Sequence, residues 1–282
     1  MAHISFTINE NTPSPLPVDC PPDLTKETLL RFPAFKIWLS TLQHSLQRQH
    51  LPSHEFHSNP YELRKIHIQT VDYFGGGRVG FIKLRADVSN NNGESLPGSV
   101  FLRGGSVGML LILQPSDSPP QSPDPYSNKH ALLTIQPRIP AGSLTFAEIP
   151  AGMLDDSGSF AGAAAKEIHE ETGLTIPLEE LIDMTALALD GEADDDKESL
   201  QKAMYPSAGG GDEFMPLFLC EKRMPRGEIE ALRGRLTGLR AQGEKITLKV
   251  VPLREVWKEG VRDGKTLAAW ALYRGLKEEG RL

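Results

Sequence analysis

GMLDDSGSFAGAAAKEIHEETGL, from Gly152 to Leu174, is the stretch on which the reading of this chain turns. A glycine-bounded loop leads into a helix that ends at Gly173. Ala161, Ala164, Ala165 and Ile168 form an apolar back for that helix. Glu167, Glu170 and Glu171 stand at i, i+3 and i+4 and share the opposite face, where like charges cost an isolated helix roughly 0.2–0.5 kcal/mol per pair. A cation over the face offsets that repulsion. Clustered carboxylate oxygens suit a hard ion such as magnesium, whereas zinc or copper favours His or Cys ligands. Three glutamates taken alone also make an ordinary solvated helix face, so spacing leaves both readings open.

Working outward, Leu144 to Ile149 reads as a strand running into a turn at Pro150, Ala151 and Gly152, and Ala131 to Ile135 as another strand. Later, Ile246 to Val251 alternates as a strand and Thr266 to Lys277 has the spacing of a closing helix. Towards the N-terminus, Phe35, Trp38, Leu39, Leu42 and Leu46 mark one face of an amphipathic helix opened by Pro33. Ile66 to Val88 reads as strands joined by a turn at Gly75, Gly76 and Gly77, and Val100 to Leu113 as a second β run. The opening stretch to Pro22 reads as an extended arm, Pro115 to Asn128 as a surface loop, and Asp190 to Glu198 as a solvated acidic loop. Strands and helices interspersed in this way predict an α/β fold: a smaller β-rich N-terminal domain over residues 1–99 and a mixed α/β sandwich over 100–282.

At 282 residues with 39% apolar content, the chain is long enough to bury a sizeable core. Its formal net charge of −7 argues against polymeric nucleic acid as a partner. Cys20 and Cys220 have no metal-ligand spacing and suggest neither a disulfide framework nor a zinc site. The first 25 residues carry no Lys or Arg, which argues against a secretory or transit leader, and the apolar run Met109 to Leu113 is too short to span a membrane. A cytoplasmic protein with no membrane partner is the expectation.

The Gly152–Leu174 segment resembles the Nudix box, GX5EX7REUXEEXGU with U aliphatic, with Gly152, Glu167, Ile168, Glu170, Glu171, Gly173 and Leu174 in register. Gly158 stands where the first glutamate is expected, and Lys166 replaces the arginine, keeping its charge without its planar fork. QPRIP, EIPAGM, YPSAGGGDEF and GEKITLKVVPL are similar to nucleotide-sugar pyrophosphatases, particularly those acting on ADP-ribose and ADP-glucose. The resemblance covers most of the chain from Val100 onward and implies an α/β/α sandwich.

It also implies magnesium, with manganese as a substitute, held by the Ala151 carbonyl, Glu167, Glu170, Glu171 and Glu244. The substrate would meet Arg103, Arg138, Met153, Ser207, Ala208, Gly209 and Glu213. Catalytic roles fall to Glu170, Glu244 and Glu213, with the last two competing as general base. Gln242 occupies the position of the family's base, and a neutral amide cannot serve as one. The implied reaction is hydrolysis of a small-molecule ADP-sugar to AMP and sugar phosphate. A UDP- or GDP-sugar is the alternative substrate, and a non-catalytic nucleotide-sugar sensor the alternative role. A homodimer is implied, with the N-terminal domain helping to build the partner's site.

Overall fold

The computed structural model describes residues 3–10, 12, 14–119, 123–154, 159–190 and 198–282. Two compact units divide the chain. The first holds the described residues of Met1–Gly105, Glu192–Gln201 and Ser207–Phe214; the second holds those of Ser106–Gly191, Lys202–Pro206 and Met215–Leu282. Residues 191–197 of the expected acidic loop, residues 120–122 of the expected Pro/Ser loop, and Gly158 lie outside the described residues.

In the first unit a sheet runs in the order β1 (Ile4–Ile8), β2 (Leu16–Cys20), β3 (Glu62–Tyr73), β4 (Val79–Ser89) and β5 (Ser95–Leu96), with β6 (Ser99–Leu102) also paired to β4. Helix α1 (Lys26–Arg31) starts where the Thr25 hydroxyl accepts the Thr28 N–H, and α2 (Pro33–Arg48) has proline in its first turn, where a missing N–H costs nothing. Leu29, Ala34, Phe35 and Leu39 of these helices share one core with Ile66, Ile68, Ile82 and Leu84. Each Leu, Ile or Phe side chain taken from water stabilises the unit by roughly 1.5–3 kcal/mol.

Two sequence expectations change here. The opening stretch is a pair of strands rather than an arm, because Leu16, Val18 and Cys20 alternate into the core. Three buried residues in a proline-flanked run of five are too short a signal to outweigh the prolines. The break between units falls after Gly105 rather than at residue 99, since Ser99–Leu102 hydrogen-bonds to β4. Gly104, at φ 81, makes a turn that L side chains rarely adopt.

The second unit is built on a mixed sheet. Its strands are β7 (Ser106–Pro115), β8 (His130–Arg138), β9 (Ser143–Glu148), β10 (Ala151–Met153), β11 (Ile182–Asp183), β12 (Leu217–Met224), β13 (Leu236–Thr237) and β14 (Ile246–Pro252). The order is β11-β12-β7-β8-β14-β13, with β10 on β7 and β9 on β8, and β12 runs parallel to β7. β7 is buried on both faces, which is why it reads as a continuous apolar run. Val107, Met109, Leu111 and Leu113 pack towards α3 (Phe160–Thr172) and α5 (Arg226–Ala231), in one core with Ala164, Ile168 and Ile229. Leu110 and Ile112 pack the other way, with Met184 of α4 (Met184–Ala188), Val256 of α6 (Val256–Glu259) and Ala269 and Tyr273 of α7 (Gly264–Glu278). Helices therefore cover both faces of the sheet, the expected α/β/α sandwich. No helix among the described residues is long and apolar enough to cross a membrane.

Candidate active site

Helix α3 is fixed at both ends by its own sequence. The Ser159 hydroxyl accepts the Gly162 N–H at 3.1 Å, and Gly173, in the left-handed region at φ 74, donates to the His169 carbonyl at 2.9 Å. Its acidic face meets the turn between β9 and β10. A Cβ added to Gly152 would lie 1.8 Å from the Glu167 carboxyl carbon, so the bare backbone of Gly152 is the bed on which that carboxylate rests. Glu171, one turn on, is 1% exposed. It accepts the Gln136 amide at 3.2 Å on one oxygen and the Ala151 N–H at 3.1 Å on the other. Glu170 is half-buried and Lys166 exposed on the same helix.

Burial pushes the Glu171 carboxyl up to about 8, and the nearby charges of Glu167 and Glu148 add to the rise against the two hydrogen bonds that lower it. Both donors are neutral, so no cation among the described residues pairs with Glu171 and the protonated form is favoured until a charge arrives or the pH rises. Among the described residues no group of three or more His, Cys, Asp or Glu side chains is gathered to hold a metal by itself. Magnesium does not require one: it keeps several waters and commonly takes one or two carboxylates together with substrate phosphates. Glu167, Glu171 and the adjoining Ala151 offer oxygen donors of the kind such an ion takes.

Arg138, at the end of β8, places Nε and one terminal nitrogen each 2.7 Å from one oxygen of Glu148, and 39% of its side chain is exposed. Lys265 binds the other oxygen of Glu148. Gln136, Glu148 and Lys265 were not foreseen. For Gln136 the signal was present, a polar residue at a buried position of an apolar strand; Glu148 read only as a strand end.

The remaining candidates divide between the units. In the first, Arg103 Nη1 lies 3.0 Å from Glu213, and Arg103 Nε is buried without a hydrogen-bond partner among the described residues. Asp212, missed in the sequence, accepts the backbone N–H groups of Arg103 and Gly104 at 2.7 and 3.2 Å, which orients that strand end. Ser207, Ala208 and Gly209 are exposed, in a turn where the Ser207 carbonyl accepts the Gly210 and Gly211 N–H groups. In the second unit Met153 is 37% exposed at the end of β10. Glu244 accepts the Leu239 N–H at 2.8 Å, so its half-buried side chain closes its own loop. Gln242 ends the short helical turn Arg240–Gln242 beside it. A groove of about 540 Å³ lined by Ala188, Leu217, Ala271 and Leu272 lies between α4 and α7 and includes none of these residues.

Comparison with known proteins places a NUDIX domain over residues 125–270. Nudix hydrolase 14, chloroplastic, from Arabidopsis thaliana is 39% identical over 220 residues, which cover 77% of this chain. The match spans 64% of the length of that relative. A crystal structure described as an ADP compounds hydrolase aligns with a TM-score of 0.46 and 17% identity, covering 78% of this chain and 99% of its own.

The raised Glu171 carboxyl gives a pH dependence with a definite sign. The folded protein keeps a proton on Glu171 up to about pH 8, whereas an unfolded chain loses it near the ordinary glutamate value of 4.5. The contribution to stability is full below the unfolded pKa and is lost as pH rises through the folded one. Urea unfolding in chelator from about pH 5 to about pH 9 is expected to show this decline in the native protein and a flatter profile in Glu171→Gln. Superimposable profiles contradict the assignment.

Proposed function

The chain belongs to the Nudix family, and from that premise we propose that it is a magnesium-dependent hydrolase of ADP-sugars, ADP-ribose or ADP-glucose, yielding AMP and a sugar phosphate. The observation that carries the reading is the buried Glu171 carboxylate, held by neutral donors beside Glu167 on the Gly152 bed. The relative at 39% identity bears the name of a hydrolase, which supports the reaction class. The ADP-sugar assignment rests on the QPRIP, EIPAGM and YPSAGGGDEF segments.

Glu167 and Glu171 would hold magnesium, which would lower the pKa of water and offset charge on phosphoryl oxygens. Glu171 and Glu167 hold their oxygens in place through the Gln136 amide, the Ala151 N–H and the close approach of Gly152. Glu170 shares their helix face and orients water. Arg138 keeps donors beyond those spent on Glu148 and offers them to the diphosphate, a task suited to a guanidinium. On the family resemblance, Arg103, Glu213 and the exposed Ser207–Gly209 turn of the first unit serve as substrate contacts. We assign the general base to Glu244, whose carboxylate must leave the Leu239 N–H to act, with Glu213 as the competing base. Gln242, a neutral amide where the family places its base, favours the non-catalytic sensor as the second reading.

Incubation with magnesium and a panel of ADP-, UDP- and GDP-sugars, followed by product analysis, tests the proposal. AMP from ADP-sugars is expected, and Glu171→Gln is expected to lower kcat by more than about a hundredfold. Binding of ADP-sugars without AMP formation sinks the hydrolase reading in favour of the sensor, and nucleoside monophosphate from UDP- or GDP-sugars alone moves the substrate. A cytoplasmic homodimer is part of the proposal; a single-chain mass by light scattering at working concentration contradicts the dimer.

A further inference from the structure

The buried side chains at the start of α7 grip the strand that leads into the site. Glu148 has a side chain only 2% exposed, and a buried carboxylate is costly unless it is paired and hydrogen-bonded. Arg138 covers one of its oxygens and Lys265 the other. Lys265 is itself 11% exposed and also bonds Asp263 at 2.9 Å. Asp263 caps α7, accepting the Thr266 N–H at 3.1 Å and the Thr266 hydroxyl at 2.6 Å. Thr266 is fully buried, and its hydroxyl oxygen accepts the Ile149 N–H at 3.0 Å. A Cβ on Gly260 would come within 2.4 Å of Thr266 Cγ2, so the preceding turn is wrapped tightly around this threonine.

Residues 148 and 149 are thus pinned by residues 265 and 266, immediately before the Pro150–Gly152 turn whose Ala151 N–H holds Glu171. We infer that Lys265 is a positioning residue for the phosphate-binding arginine: by sharing Glu148 with Arg138 and anchoring to the Asp263 cap, it sets the guanidinium where a diphosphate meets it. The inference rests on the reading of Arg138 as a diphosphate contact. Two cations on one buried carboxylate divide its charge between them. Without Lys265, Glu148 draws fully on Arg138, turning more of its donors inward, and Asp263 loses the cation that separates it from Glu148.

The consequence falls on binding. An interaction made with the diphosphate before and during reaction changes KM and leaves kcat nearly unchanged. Lys265→Met is expected to raise KM for ADP-ribose roughly ten- to hundredfold, the size of one charge-assisted hydrogen bond, with kcat within about twofold. Lys265→Arg is expected to restore most of the loss. In chelator, inorganic pyrophosphate serves as a probe of Arg138 that needs neither metal nor turnover, and its affinity by calorimetry is expected to fall by the same factor. In an Arg138→Met background, Lys265→Met is expected to add nothing, the mark of two residues acting through one contact.

Additive losses in the double variant overturn the inference, as does an unchanged pyrophosphate affinity in Lys265→Met, because a merely structural role gives one or the other. Should Lys265→Met not fold, Lys265→Gln keeps a neutral donor, and an intermediate loss that vanishes in the Arg138→Met background supports the same conclusion. Native protein that binds pyrophosphate but does not cleave ADP-ribose sinks the ADP-sugar reading alone and leaves this one to be judged by the pyrophosphate cycle. Native protein that does not bind pyrophosphate overturns the inference itself.

Discussion

Glu171 is a carboxylate placed almost completely out of water with only neutral donors on it, and the second unit is organised around making that tolerable. The Gln136 amide comes from β8, the Ala151 N–H from β10, and the glutamate from α3. Three separate elements must arrive together before the group is satisfied. Moving any of them leaves a buried acid with an unmatched oxygen, a loss of the kind that costs about 1–3 kcal/mol or more. The apolar back of α3, with Ala164 and Ile168 in the core, holds the helix at the depth this requires. Gly152 lets the neighbouring Glu167 come down to the same level.

The two buried glutamates of this region are handled in opposite ways. Glu148 is matched by Arg138 and Lys265, so its charge is spent within the protein. Glu171 accepts from an amide and a backbone N–H, and burial raises its carboxyl to about 8. A carboxylate paired with two cations and the carboxylate proposed to bind a ligand therefore sit near one another, distinguished by their partners rather than by their residue type. This contrast gives a physical reason for reading α3 as a site and not as a solvated face, the two alternatives that helical spacing alone left open.

The parts legible in the sequence were those encoded locally. The acidic face and apolar back of α3, its end at Gly173, the flanking strands and the closing helix all follow from periodicity and capping over a dozen residues or so. The supports of the site were not legible, because their partners are distant in the chain. Gln136 meets Glu171 across 35 residues, and Glu148 meets Lys265 across 117. No spacing rule joins such pairs. Likewise Ser207–Phe214 reads as part of the C-terminal half, and only the hydrogen bonds of Phe101 and Arg103 to Gly210 and Asp212 show that it extends the first unit. The N-terminal strands were hidden by their prolines, whose cost is offset by the burial of Leu16, Val18 and Cys20.

Glu167 and Glu171, over the bare backbone of Gly152, are proposed to hold a divalent cation. Titration with manganese(II), followed by the loss of its free-ion electron paramagnetic resonance signal, measures this without substrate or turnover. The native protein is expected to bind, and Gly152→Ala, whose methyl group displaces the Glu167 carboxylate, is expected to bind at least about tenfold more weakly. Equal affinity in the two proteins, or no binding by the native one, contradicts the account.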